Sequence, residues 1–136
     1  MKPWEVWQWE FPHGSHPAVI VSPEARCANR DILTVNIVGC STQRARRNAE
    51  VHEVLLGRED GLDWETLCRC DVLFLAKKSE LTRRRGTLTY ERRRQLGQKI
   101  IRLFGLCASG NSNAAFTLDR TKVRSTSTFC FRSDQS

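Results

Sequence analysis

The chain has 136 residues, of which 40% are hydrophobic and 27% are charged, so it is long and apolar enough for one domain with its own core. No apolar run approaches the roughly 20 residues that a membrane-spanning helix needs. The acidic, aromatic start "MKPWEVWQWE" is unlike a signal peptide, so we expect a cytoplasmic protein without membrane contact. The net charge of +7 favours partners that carry negative charge, such as nucleic acid.

The first two thirds of the chain has the alternating or β-branched composition of strands. In the first predicted strand, Trp7, Trp9 and Phe11 share one face, which indicates a half-buried strand. Segments rich in glycine, proline or acidic residues predict loops at 12–17, 23–30 and 57–65. The predicted strands cover residues 4–11, 18–22, 31–39, 50–56 and 66–75.

A helix is predicted at 89–106. Thr89 is a suitable N-cap, an apolar stripe begins at Leu96, and Gly105 suits the C-terminal stop. The following segment, 107–136, is dominated by serine, threonine and asparagine and is predicted to be a loosely ordered appendage. The prediction is therefore a mainly β domain with a C-terminal helix (α+β) over residues 1–106, built as a bent antiparallel sheet or barrel.

Positive charge is concentrated in two segments. "RARR" spans Arg44–Arg47, and ten basic residues between Lys77 and Arg102 stand against two glutamates. This pattern indicates either a polyanion-binding surface or a solvated face that an acidic partner balances.

The cysteines favour neither zinc nor any other cofactor. No pair has C-x-x-C spacing, and no second Cys or His pair stands at zinc-knuckle spacing. Small buried apolar side chains are the simpler interpretation. The six cysteines are Cys27, Cys40, Cys68, Cys70, Cys107 and Cys130.

Two opposite charges interrupt the last predicted strand, "TLCRCDVLFL". Side chains alternate along a strand, so Arg69 and Asp71 share one face while Cys68, Cys70 and Phe74 share the apolar one. The charged pair is either part of a functional surface or a structural ion pair that fixes the sheet.

Five motifs stand out in chain order: "EVWQWEFPHGS", "HPAVIVSP", "IVGCSTQ", "CRCD" and "GTLTYERRRQLGQKIIRLFGL". Together they resemble the MazF/PemK toxins, and "CRCD" is similar to the PemK branch of that family. The resemblance covers about residues 4–106 and does not extend into the tail.

The resemblance implies an SH3-like barrel of the MazF/PemK/CcdB type. It also implies the toxin of a type II toxin–antitoxin system, a cytoplasmic homodimer that cleaves single-stranded RNA (mRNA) at short sequences. Attack by the 2′-hydroxyl, without metal, would leave a cyclic phosphate, and an antitoxin would cover the RNA groove. Two alternatives remain: a degenerate member that binds RNA or antitoxin without cleaving, and a gyrase poison like CcdB.

Metal-free cleavage needs a base, an acid and a cation that stabilises the phosphorane. Arg69 suits the cation role, because its planar fork pairs with phosphate oxygens, and the resemblance makes Asp71 a candidate base or acid. Thr42 is a further candidate at the scissile phosphate. The resemblance and the local charge also give candidate RNA-binding residues: Ser41, Gln43, Arg44 and Arg46.

The "PHGSHP" segment departs from the family pattern. The family's arginine is replaced by His16, and a short insert is missing. Either His16 has taken over acid–base work or cleavage has been lost. His13 and Ser15, in the same segment, are candidate RNA contacts. Trp9 or Trp64 is a candidate for stacking on an unpaired base, although core tryptophans are commoner.

Overall fold

The computed structural model describes residues 1–11 and 14–106, which form a mainly β structure followed by a helix. The strands are β1 (Glu5–Phe11), β2 (Gly14–Ile20), β3 (Thr34–Gly39), β4 (Glu53–Leu56), β5 (Thr66–Arg69), β6 (Phe74–Lys77) and β7 (Leu81–Thr87). The α-helices are α1 (Glu24–Ala28) and α2 (Tyr90–Leu103), and short 3-10 turns lie at Arg58–Asp60 and Lys78–Glu80. The expected fold class is confirmed.

Two antiparallel sheets make up the β structure. The larger has strand order β6-β3-β2-β1-β7, and the smaller pairs β4 with β5. β1 and β2 form a tight hairpin in which Phe11 lies opposite Gly14, whose φ of +141° suits glycine. An isolated bridge between Cys40 and Cys68 connects β5 to the end of β3. This bridge holds the smaller sheet beside the larger one at the end of β3, where the groove described below lies.

The core lies on both faces of the central strands. Ala18 and Ile20 are buried on one face of β2, while Val19 is buried on the other. β3 repeats the pattern with Ile37 and Val38. Such double-sided burial explains why these strands read as continuous apolar runs instead of alternating ones.

The predicted strand at 66–75 is wrong as a single element. The chain leaves β5 after Arg69 and enters the other sheet at Phe74, where β6 pairs with β3. Cys68 and Cys70 are buried as expected, but the Phe74 side chain is 40% exposed and Ala76 is buried in its place. Alternation alone does not predict the break between β5 and β6, because apolar residues continue through it.

Other boundaries also differ. The predicted loop at 12–17 is mostly strand, because β2 begins at Gly14, and the predicted loop at 23–30 contains α1. β7 was not predicted, since its three consecutive arginines hide the alternation of a partly exposed edge strand.

The helix prediction is confirmed at both ends. The Arg92 backbone N–H donates to Thr89 Oγ1 at 3.3 Å, which is an N-cap contact, and Gly105 has a φ of +66°. None of the helices formed by residues 1–11 and 14–106 is long and apolar enough to cross a membrane.

Met1–Gly97 is one compact unit, and the site contacts below all lie within it. The proposed appendage at 107–136, and also Pro12 and His13, lie outside the described residues, so a domain boundary after residue 106 stays a prediction.

Candidate functional site

A groove of about 640 Å³ is lined by residues of both sheets and by the segment that connects β3 to β4. Residues from distant parts of the sequence meet there, because β5 carries Arg69 to the side of the larger sheet that bears His16. Six of the ten predicted site residues line this groove: His16, Ser41, Gln43, Arg44, Arg46 and Arg69.

Aromatic and small side chains also line the groove. Trp9 on β1 lies opposite His16 on β2, and its ring centroid is 5.1 Å from that of Phe74, with the planes inclined by 50°. The indole Nε1 donates to Glu80 Oε1 at 3.2 Å, which fixes the ring. At Gly39 a Cβ would lie 3.7 Å from Phe74 Cε2, so the phenyl ring sits close against the glycine.

The connecting segment, which carries the arginines, is held to β5 by its backbone. The Ser41 N–H donates to the Leu67 carbonyl at 2.9 Å, and the Ala45 N–H donates to the Glu65 carbonyl at 2.8 Å. Between them, the Thr66 hydroxyl donates to the Ser41 carbonyl at 2.7 Å. The segment has no regular secondary structure, yet its arginines project from a fixed backbone.

Arg47 and Glu53 form a two-bond ion pair beside the groove. Nη1 and Nη2 of Arg47 donate to the two carboxylate oxygens at 2.7 and 2.8 Å, and only 5% of the Glu53 side chain is exposed. Hydrogen bonding from Arg47 lowers the pKa of Glu53 to about 2. Glu50, His52 and Glu53 have ligand atoms within 4.8 Å of one another, but the guanidinium already provides a cation there.

Arg69 and Asp71 form a second two-bond ion pair, at the end of β5. Nε and Nη2 of Arg69 donate to Asp71 Oδ1 and Oδ2 at 3.0 and 2.6 Å. Hydrogen bonding from the guanidinium holds the pKa of Asp71 below its usual range. The side chains are 56% and 31% exposed, so this pair faces solvent at the groove.

Three predicted site residues lie elsewhere or cannot be placed. Ser15 alternates with His16 on β2, and its hydroxyl contacts Gln8 and Glu10 on the other face of the sheet. Thr42 lines a separate cavity of about 170 Å³ that also contains Trp64. His13 lies outside the described residues.

The second basic segment is partly neutralised within the chain. Arg84 pairs with Glu5 and Arg85 pairs with Asp63, each at 2.9 Å. Arg92 lies 3.5 Å from carboxylate oxygens of both Glu59 and Asp60. This favours the balanced-face interpretation for that segment, with the balancing acids coming from this same chain.

The basic side chains of the groove have fewer acidic neighbours. The Arg44 guanidinium lies 5.9 Å from the ring centroid of Trp64, a cation–π distance. Arg46 is exposed and has no ion pair within the described part of the chain. Positive charge is thus more available at the groove than along the second basic segment.

Sequence reasoning missed the importance of Phe74, Thr66 and Glu53. Alternation puts Phe74 on the core face of a strand that in fact ends at Arg69. Thr66 and Glu53 look like ordinary strand residues, and only the path of the smaller sheet, which contains both of them, brings them to the segment that carries the arginines.

No family model and no curated protein sequence matches this chain. Solved structures do match its fold. An endoribonuclease in complex with its cognate antitoxin, from a Mycobacterial species, has a TM-score of 0.66 at 24% identity, covering 79% of this chain and 97% of that one. The Mycobacterium tuberculosis toxin MazF-mt6 has a TM-score of 0.62 at 19% identity, covering 74% of this chain and 95% of that one. One chain of the MazE–MazF structure from Deinococcus radiodurans has a TM-score of 0.62 at 16% identity, covering 77% of this chain and 95% of that one.

Proposed function

From its MazF toxin fold and its arginine-lined groove, we propose that the protein is the toxin of a type II toxin–antitoxin system and an endoribonuclease for single-stranded RNA. The observation that carries the proposal is that Arg69 and His16 line one groove together with Arg44 and Arg46. A cation and a proton-transfer group therefore stand on a surface able to hold a phosphate chain.

The reaction is an internal transfer at phosphorus. The 2′-hydroxyl loses its proton to a base, its oxygen bonds to phosphorus, and the bond to the 5′-oxygen breaks as an acid protonates that oxygen. The products are a 2′,3′-cyclic phosphate and a 5′-hydroxyl. Charge gathers on the non-bridging oxygens in the transition state, and this is where an arginine stabilises most.

The position of Arg69 supports our assigning it this role. Its Nε and Nη2 are bonded to Asp71, while Nη1 has no hydrogen-bond partner among residues 1–11 and 14–106. That nitrogen can donate a hydrogen bond to a phosphate oxygen while the two bonds to Asp71 fix the orientation of the guanidinium group. Because its pKa is lowered, Asp71 is ionised at neutral pH, so it is unsuited to be the acid and weak as a base.

We assign proton transfer to His16. It projects from a paired strand into the groove, and an imidazole exchanges protons readily near neutral pH. Thr42 lies in a separate cavity, and its neighbour Ser41 lines both cavities. We therefore place the hydroxyl contact to phosphate at Ser41.

The proposed partners follow from the same surface. An acidic antitoxin segment would bind the groove by charge complementarity and would exclude RNA. The neighbour of known structure that is described with its cognate antitoxin supports such a complex, and a homodimer is proposed on the fold likeness.

Binding without cleavage is the second candidate. It is favoured by the closed Arg69–Asp71 pair, in which two donors of the fork are already used. A phosphate contact limited to Nη1 would give affinity with little added stabilisation of the transition state.

The test uses a long single-stranded RNA and purified protein in EDTA. We expect discrete cuts that end in a 2′,3′-cyclic phosphate and a 5′-hydroxyl. A matched oligonucleotide with 2′-deoxyribose at the mapped cut should stay intact, because it lacks the attacking hydroxyl. Salt-sensitive binding without cuts would select the second candidate, and cleavage of the deoxy oligonucleotide would contradict the mechanism.

A further inference from the structure

Trp9 and Phe74 give the groove an apolar surface that phosphate chemistry does not require. Phe74 is 40% exposed at the start of an edge strand, and Trp9 is only partly buried although it packs against the core. Neither ring can donate a hydrogen bond to a phosphate, because the phenyl ring has no polar atom and the indole N–H already donates to Glu80.

We infer that Trp9 and Phe74 form a subsite for one unpaired nucleobase of the bound RNA, an inference that rests on the proposed function. The base stacks on the open face of Phe74, and its edge contacts Trp9. At a centroid separation of 5.1 Å and an inclination of 50° the two rings pack against each other, so they present one angled aromatic surface on which a planar base can stack from the groove side.

The charges around the rings decide what kind of ligand fits. Arg44, Arg46 and Arg69 line the same groove as the two rings. A purely apolar segment would bring no counter-charge to Arg44 and Arg46, for which the described residues form no ion pair, while a simple anion would leave the rings uncovered. A nucleotide unit satisfies both, with phosphate at the arginines and base on the rings.

The two rings themselves offer no free donor or acceptor to the edge of a base. The only polar atom of the two rings, Trp9 Nε1, is used by Glu80, and Gly39 beside Phe74 has no side chain. Selection there depends on stacking area, so a purine is favoured over a pyrimidine at that one position.

The test measures affinity for RNA oligonucleotides in which one nucleotide at a time is abasic. Each carries the mapped cut with 2′-deoxyribose at the scissile position, so that binding is measured without cleavage. For the wild type, one abasic position should lower affinity roughly 5- to 150-fold. In Phe74→Leu that position should become nearly insensitive, because the ring on which the base stacks is gone.

Two variants keep the result interpretable. Phe74→Tyr retains a ring and should restore the wild-type profile, which separates stacking from misfolding. Tyr90→Leu removes a ring that is 72% exposed on α2 and should leave the profile unchanged.

Three results would overturn the subsite. If the wild type cleaves RNA but Phe74→Leu has the same abasic profile, the subsite is wrong and the proposed function stands. If Phe74→Leu weakens only the binding of an acidic peptide, the rings belong to a protein partner. If the wild type neither binds nor cleaves RNA, the subsite and the proposed function both fail.

Discussion

Two arginine–carboxylate pairs border the same groove with the same two-bond geometry, yet they differ in burial. Arg47 holds Glu53, whose side chain is 5% exposed, whereas Arg69 holds Asp71, whose side chain is 31% exposed. Both arginine side chains are about half exposed, at 51% and 56%. The burial of the acid therefore distinguishes the pairs.

From that difference we propose a structural role for the Arg47–Glu53 pair and a phosphate contact for the Arg69–Asp71 pair. The Glu53 carboxylate also accepts the Glu50 backbone N–H at 3.0 Å, so losing Arg47 would leave a buried charge and loosen the segment that carries the arginines. The Arg69–Asp71 pair is open to water, where such a bond contributes little stability and can rearrange around a phosphate.

The largest expected effect comes from Arg69→Ala. Loss of one transition-state donor should reduce kcat/KM for RNA cleavage by roughly 100- to 1,000-fold. The free energy of unfolding should change by less than about 1 kcal/mol, since the pair is exposed. Cleavage kinetics and denaturant unfolding measure the two effects, and Arg83→Ala, an exposed arginine on β7, is the control. A large loss of stability with unchanged cleavage would reverse the assignment.

Arg47→Ala should have the opposite effect, with a larger loss of stability and a smaller loss of cleavage than Arg69→Ala. Removing the partner of a buried carboxylate should lower the free energy of unfolding by about 1–3 kcal/mol. Cleavage should fall less than in Arg69→Ala, because the segment is loosened without loss of the phosphate donor. Urea unfolding beside a cleavage assay under native conditions tests this. An unchanged stability would mean that the Glu53 pair is no more structural than the exposed one.

Low pH should weaken the buried pair specifically. The pKa of Glu53 is lowered from 4.5 to about 2, so the unfolded chain binds a proton more readily than the folded one. The stabilisation from this pair is present above about pH 4.5 and is lost as pH falls towards 2. Unfolding curves across that range should show a smaller decline for Arg47→Ala than for the wild type, and parallel curves would contradict the assignment.

The exposed pair was within reach of sequence reasoning, and the buried pair was not. Alternation placed Arg69 and Asp71 on one face, and they do contact each other, although β5 ends at Arg69. Arg47 and Glu53 lie on either side of a turn, so no helical or strand period relates them. Their meeting depends on how β4 pairs with β5.

Phe74 shows the same limit for the groove itself. Its apolar character was visible, but its exposure depends on the switch of the chain from the smaller sheet to an edge of the larger one. The switch depends on the pairing of β6 with β3, two strands that are distant in sequence. Local sequence patterns cannot predict such a pairing. The motif order predicted the fold, while the lining of the groove required the structure.

The smallest effect, and the one that most sharpens the comparison, is expected for Asp71→Asn. An amide oxygen can still accept a hydrogen bond from the Arg69 fork, so a positioning role predicts a loss of only about tenfold in kcat/KM, below the 10²–10⁴ of a lost acid or base. The pH–rate profile should keep its shape, because His16 is the group assigned to proton transfer. A loss beyond about 100-fold together with the disappearance of one limb of that profile would make Asp71 a catalytic base. The two pairs would then differ in chemistry as well as in burial.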